Sequence, residues 1–183
     1  NAAHVQPRIF ISAVSAEFRT LRGHVAQTVE KLGYEPVSMD EWSTGDGELL
    51  AWHRRQIDAC DGLIHIPGYA YGAEPATHDP AAHGLPADTP RYSYTQYEFL
   101  YATLGAGPKK RGLKTWVIQP GAGCTRDNPE QKLDLDPNLP FRDAVKRQDE
   151  LNRLQREWLA RLKKENQLRH MPADDFALHR ILL

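Results

Sequence analysis

The amino-acid sequence predicts a flavodoxin-like α/β domain, in which five parallel strands form a doubly wound sheet in the order 2-1-3-4-5. Short runs of β-branched and aromatic residues alternate with longer segments whose apolar residues recur at helical spacing. This alternation favours a parallel sheet with right-handed crossovers and helices on both faces. The 183 residues are enough for one well-packed core and few for two.

The strands are predicted where a short apolar run ends at turn residues, which is typical of strands buried in a parallel sheet. These runs are residues 8–12, 34–39, 63–66, 115–118 and 167–171. Ligands of doubly wound sheets bind beyond the carboxyl ends of the strands, near the switch point between strands one and three. We therefore expect a functional site among the loops that follow the first three strands.

The helices are predicted where apolar residues recur every three or four positions. They cover about residues 18–32, 49–60, 94–104, 141–162 and 172–183. Gly33 follows the first helix, where a C-terminal glycine cap belongs. Ser93 and Gln96 form a capping box that begins the third helix. Residues 67–91 and 120–140 show no periodicity, and loops of that length are often functional.

Charge and cysteine content narrow the classes of partner. The formal net charge is −1, which gives no general attraction to nucleic acid or to an anionic membrane. The basic run at 109–114 is typical of a solvated loop. The chain has two cysteines, Cys60 and Cys124, fewer than a small secreted domain usually carries. The low cysteine count predicts a cytoplasmic protein. No apolar run approaches membrane-spanning length.

The domain organisation is expected to be simple. Residues 1–7 are predicted to be disordered or a tag remnant, and residues 8–183 to form a single domain. The last helix has apolar residues up to Leu183 and no polar or glycine cap. We therefore expect this domain to be the N-terminal part of a longer protein.

Two stretches resemble a known family. The first is the strand at 8–12 with Arg19 and Arg22 on the next helix, and the second is Gly-Tyr-Ala-Tyr-Gly at 68–72 followed by Ser-Tyr-Thr-Gln-Tyr-Glu at 93–98. Over roughly residues 8–120 this pattern resembles a TIR-like family of bacterial signalling and defence proteins, long described only as a domain of unknown function. It looks like a branch of the TIR superfamily, and its members usually precede NTPase or repeat modules.

The resemblance implies a TIR-like fold and a site for NAD cleavage. Some TIR enzymes use a glutamate on the third helix, a few residues before a small alanine, and Glu98 with Ala102 matches that pattern. Asp40 and Gly47 match the aspartate and glycine that bracket the loop after strand two. Ser12 matches the serine that ends the first strand.

Two features depart from the family pattern. The loop before the third helix is much longer here than in compact TIR enzymes. Ala13 and Val14 stand where many TIR enzymes have aromatic and basic residues. Substrate contacts from the loop after strand one are therefore not carried over.

Glu98 is the predicted catalytic residue, because one carboxylate can stabilise the oxocarbenium-like transition state of nicotinamide–ribose cleavage. The leaving nicotinamide is already cationic and needs no general acid. Two non-catalytic interpretations of Glu98 are also open: a solvated charge in the first helical turn, and a structural ion pair with Arg19 or Arg22. The apolar neighbours of Glu98 count against a solvated charge, because a glutamate in such a segment is costly unless it is used or paired.

Eight further residues are predicted to contact the substrate. Aromatic rings on the loops could stack on a base, although Tyr71 could equally form part of a packed turn. Arg19 could bind a diphosphate or form a structural ion pair. The eight are Ser12, Arg19, Asp40, Trp42, Tyr69, Tyr71, Tyr94 and Thr95. No metal site is expected, because His78 and His83 lack cysteine partners and helical spacing.

Two functions follow from different classes. The first is an NAD glycohydrolase or a related cleaver of nucleotide N-glycosidic bonds, with NAD as substrate and no cofactor. The second is a non-catalytic interaction module that self-associates and passes a signal to a downstream domain of the same chain. Neither a membrane nor a nucleic acid is an expected partner.

Overall fold

The strands form one parallel sheet in the computed structural model, which describes residues 5–39, 46–104, 112–165 and 170–183. They are β1 (Arg8–Ala13), β2 (Glu35–Ser38), β3 (Gly62–Ile66) and β4 (Lys114–Val117). Their order is β2-β1-β3-β4, and all three pairings are parallel. The predicted α/β class and the order of the first four strands are therefore confirmed.

The predicted five-strand order is not confirmed, because the described residues contain four strands. His170, from the predicted fifth strand, makes a single parallel bridge with Ile118, and Asp174 makes another with Gly123. Pro172 lies between these bridges and has no backbone N–H to donate to a ladder. Residues 170–174 follow the edge of the sheet through these two bridges, while residues 166–169 lie outside the described part of the chain.

Five α-helices cover the two faces of the sheet. They are α1 (Ser15–Lys31), α2 (Asp46–Asp58), α3 (Tyr94–Leu104), α4 (Phe141–Lys164) and α5 (Asp175–Leu182). Helices α1 and α5 pack on the face that carries Ile9 and Ile11, whereas α2, α3 and α4 pack on the face that carries Phe10. In the described ranges, none of the helices has the length and apolar character needed to cross a membrane.

The helix ends follow the local sequence signals. The backbone N–H of Ser93 donates to Gln96 Oε1 at 3.1 Å, and the N–H of Gln96 donates to Ser93 Oγ at 3.4 Å. These two bonds are the predicted capping box at the start of α3. Gly33 follows α1 with φ at +89°, a left-handed conformation that glycine adopts without strain.

A buried carboxylate at the start of α1 holds the loop that follows β3. Glu17 is fully buried and accepts backbone N–H bonds from Tyr69 at 3.1 Å and Ala70 at 2.9 Å. It also forms an ion pair with Arg126, 2.9 Å from Nε to Oε1. A Cβ on Gly68 would lie within 2.5 Å of both carboxylate oxygens, so only glycine allows this approach.

Arg126 connects the same cluster to the loop after β4. Its guanidinium donates to the carbonyl oxygens of Pro120 at 2.9 Å and Gly121 at 2.6 Å. It also lies over the rings of Phe18 and Tyr69, 5.1 and 4.6 Å from their centroids. Glu17 and Arg126 together bind α1, the loop after β3 and the loop after β4 to one another at the carboxyl edge of the sheet.

A second buried chain of hydrogen bonds joins α4, β3, β1 and α3. Trp158 Nε1 donates to His65 Nε2 at 3.1 Å, so the proton of the neutral imidazole lies on Nδ1. His65 Nδ1 then donates to Ser12 Oγ at 3.2 Å, and Ser12 Oγ donates to the carbonyl of Thr95 at 3.3 Å. Burial lowers the pKa of His65 to about 3, which keeps the imidazole neutral.

We predict that removing the Glu17 carboxylate strongly destabilises the fold. Glu17→Ala leaves the Arg126 guanidinium and two backbone N–H groups buried without their acceptor, at a cost of about 3–5 kcal/mol. As a matched control, Glu157→Ala breaks the exposed Arg153–Glu157 pair and should cost less than about 1 kcal/mol. Urea unfolding of both variants measures the difference, and equal midpoints would contradict the role given to Glu17.

The low pKa of His65 predicts a loss of stability in mild acid. In the unfolded chain His65 becomes protonated below its ordinary pKa of about 6.5, whereas in the folded chain it stays neutral down to about pH 3. The contribution of neutral His65 to the free energy of unfolding is therefore fully present above pH 6.5. About 2 kcal/mol of that free energy is lost when the pH falls to 5.

The measurement is the free energy of unfolding at pH 7 and at pH 5, for the wild type and for His65→Gln. Glutamine cannot take up the proton, so the variant should lose about 2 kcal/mol less than the wild type over this interval. The same loss in both proteins would show that His65 is not the group responsible.

Candidate functional site

The predicted catalytic carboxylate lies inside the domain. Glu98 is on α3, beyond its first turn, and its side chain is 6% exposed. Helix α3 has no acidic residue in its first turn. The interpretation of Glu98 as a solvated charge at the helix start therefore fails on both exposure and position.

The ion-pair contact of Glu98 is a histidine on the neighbouring helix α2. His53 Nδ1 lies 3.4 Å from Glu98 Oε1, and the His53 side chain is 1% exposed. The rings of Trp52 and Tyr94 lie next to that imidazole, with centroids 6.0 and 5.9 Å away. We call these two residues the Glu98–His53 pair.

The alternative ion pairs with arginine are not observed in the described part of the chain. Arg22 is buried and donates to the carbonyls of Ala13 at 3.3 Å and Met39 at 3.1 Å, which fastens α1 to the ends of β1 and β2. Arg19 is exposed on the outer side of α1. Burial alone would raise the pKa of Asp127, but bonds from Thr20 and the charge of Arg19 lower it.

Tyr94 and Thr95 lie in the first turn of α3, and Ser12 from β1 contacts that turn. Ser12 is fully buried and bonds to the Thr95 carbonyl, and the Thr95 hydroxyl lies 3.2 Å from Ser93 Oγ. Tyr94 is buried beside His53. These residues hold the helix that carries Glu98, and their substrate contacts stay predictions.

The two tyrosines after β3 belong to a loop whose backbone is capped by carboxylates. The Glu17 carboxylate accepts hydrogen bonds from the backbone N–H groups of Tyr69 and Ala70. The Asp134 carboxylate accepts them from the N–H groups of Tyr71 at 2.7 Å and Gly72 at 2.9 Å. Burial raises the pKa of Asp134, and the two N–H donors oppose that rise. The side chain of Tyr71 is fully buried with its hydroxyl on Glu74, whereas Tyr69 is half-buried.

Several predicted residues lie outside the described part of the chain. Asp40 and Trp42 belong to residues 40–45, and the basic residues at 109–111 to another such segment. Gly47, predicted in the loop after strand two, is part of helix α2. The role of these residues in a site is untested.

The histidines of the long loop are separate from the Glu98–His53 pair. His78 Nε2 lies 2.9 Å from the Thr89 carbonyl, and its ring lies against Tyr92. Burial lowers the pKa of His83. Within the described ranges, no three His, Cys, Asp or Glu residues are grouped as metal ligands would be.

Four important residues were not predicted as part of a site or cluster: His53, Glu17, Arg126 and His65. His53 lies in the helix predicted over residues 49–60 and received no functional role. A histidine at a core position of an amphipathic helix was the signal available, because a buried imidazole needs a polar partner. For Glu17 and Arg126, which are 109 residues apart, the sequence has no local signal.

A family model covers nearly the whole chain. It matches residues 8–170, a range that includes all four strands and helices α1 to α4. The matched range contains both the Glu98–His53 pair and the Glu17–Arg126 pair. A search of curated proteins found no match. The chain belongs to the family described as a domain of unknown function, DUF4062.

Proposed function

We propose that this domain binds NAD or a related nucleotide and cleaves the bond between nicotinamide and ribose, with Glu98 as the catalytic carboxylate. The observation that carries the proposal is the Glu98–His53 pair, a buried carboxylate that faces a single imidazole at 3.4 Å. Such a group is costly to bury, and buried ionisable groups with few partners are concentrated at functional sites. The TIR-like resemblance supplies the substrate class.

The chemistry needs one negative charge in a place that excludes bulk solvent but admits the one water molecule that reacts. The C1′–nitrogen bond breaks with its electron pair going to the nitrogen, so nicotinamide leaves as a neutral molecule. A carboxylate beside C1′ stabilises the positive charge that develops on the ribose. Water then adds to C1′ and releases one proton. A carboxylate in a low-dielectric interior is more effective in this role than one in water.

Substrate access requires the edge of the contact between α2 and α3 to open while His53 stays beside Glu98. With only 6% of its side chain exposed, Glu98 does not meet a substrate in the closed arrangement. This opening would expose the carboxylate and the buried ring of Tyr94, next to the ring of Trp52, which is already exposed. Both rings are suited to stacking on a base. We propose that assembly of several domains favours the open arrangement, as mass action allows.

The second candidate is a non-catalytic module that self-associates and signals to a downstream domain. The near-complete closure of the Glu98–His53 pair favours it, because a sealed pair can serve packing alone. The exposed side of α4 could contact another copy, since it presents Arg142, Lys146 and Arg156 to solvent. In this case substitution of Glu98 would change the stability of the fold, and the domain would have no NAD-cleaving activity.

We predict that Glu98→Gln lowers NAD cleavage at least ~100-fold, because it removes the charge and keeps the shape. The protein is incubated with NAD at high concentration and with a crowding agent, and free nicotinamide is measured by chromatography. Glu157→Gln makes the same chemical change on the exposed surface of α4 and should leave the rate unchanged.

Three results separate the candidates. Release of nicotinamide by the wild type and Glu157→Gln, but not by folded Glu98→Gln, supports the enzyme. Equal release by all three proteins assigns the activity to another residue. No release by a wild type that sedimentation shows to be assembled favours the interaction module.

A further inference from the structure

His53 is a buried polar group that the fold itself does not satisfy. Its side chain is 1% exposed, and within the described part of the chain neither ring nitrogen has a hydrogen-bond partner. Buried imidazoles normally bond through at least one nitrogen, as His65 does through both. An unsatisfied histidine in the core therefore needs a reason beyond packing.

Packing alone would favour an apolar residue at this position. His53 lies on α2 among Leu49, Leu50 and Ile57, which are all buried in the same core cluster. A leucine there would avoid the desolvation of two ring nitrogens. The polar group that the imidazole faces is the carboxylate of Glu98, at 3.4 Å.

We propose that His53 is the positioning residue of the Glu98 carboxylate, an inference that rests on the proposed function. The distance of 3.4 Å lies within ion-pair range but outside the 2.7–2.9 Å that is usual for a charge-assisted hydrogen bond. A movement of about half an ångström, with a rotation that aligns the N–H with the carboxylate oxygen, forms the bond. Formation of that bond fixes one carboxylate oxygen and leaves the other to meet the ribose.

The other contacts near Glu98 fix the backbone of α3, so that only the Glu98 side chain can still adjust. The capping box fastens the start of α3, and Ser12 bonds to the carbonyl of Thr95 one turn before Glu98. With the helix held in this way, rotation of the Glu98 side chain is the remaining freedom. A catalytic group must be held to within about 0.5 Å to be effective, which is the task left to His53.

The first test measures the contact directly by ¹⁵N NMR of the histidine rings in the full chain. Glu98→Gln should move the ring resonances of His53 by several parts per million through loss of the charged partner. His65 serves as the matched control, because it is equally buried and bonds to Ser12 and Trp158 instead. Unchanged His53 resonances would overturn the proposal.

The second test measures NAD cleavage in two variants of His53. His53→Leu keeps the packing and should lower kcat about 100-fold while changing the KM for NAD less than about threefold, as expected when a positioned group is misplaced. His53→Gln restores an N–H donor and should recover at least a tenth of the rate. His24→Leu, on the exposed side of α1, should behave as the wild type.

The outcomes distinguish this inference from the proposed function. If the wild type cleaves NAD and folded His53→Leu is fully active, Glu98 acts without His53 and the inference is wrong. If assembled wild type cleaves no NAD, the proposed function fails, and with it the positioning role, although the NMR shift would still report a coupled pair. If His53→Leu does not fold, His53→Gln and the NMR comparison decide, since inactive but folded His53→Gln contradicts rescue by a donor.

Discussion

The arrangement of this domain depends on one buried carboxylate at the carboxyl edge of the sheet. Glu17 lies in the first turn of α1, accepts hydrogen bonds from two backbone N–H groups of the loop after β3, and pairs with Arg126 from the loop after β4. A charge without solvent is tolerable only when its oxygens are occupied, so the three segments have to meet at this point. Both long loops are fastened to the sheet through it.

Because of this constraint, the candidate site does not lie at the switch point of the sheet. Doubly wound folds bind ligands in the crevice at the switch point between β1 and β3. Here Glu17 and Asp134 occupy four consecutive N–H groups, from Tyr69 to Gly72, that an anion would otherwise meet. The Glu98–His53 pair lies instead between α2 and α3, one turn from the point where Ser12 meets Thr95. We therefore propose that a ligand reaches Glu98 at the edge of the contact between α2 and α3, without displacing Glu17.

Features that depend on residues close in sequence could be predicted, whereas contacts between distant segments could not. The four strands, five helices and capping box of α3 each depend on neighbours within one segment, and their existence was confirmed. The fifth strand, predicted over 167–171, was not confirmed: residues 167–169 lie outside the described part of the chain, and His170 makes a single bridge with Ile118. Glu98 was identified through a resemblance, but its contact with His53 depends on how two helices pack, which periodicity does not specify.

The two buried glutamates of this domain differ in how completely they are satisfied. Glu17 is surrounded by two N–H groups and a guanidinium, so its charge is already compensated in the resting fold. Glu98 faces one imidazole that is too distant or too poorly aligned to donate, and that imidazole has no other partner in the described residues. Structural charges end in complete networks, whereas a charge reserved for a ligand has to keep an oxygen free. By this criterion Glu17 belongs to the scaffold, and the incomplete contacts of Glu98 are the reason for proposing it as the catalytic carboxylate.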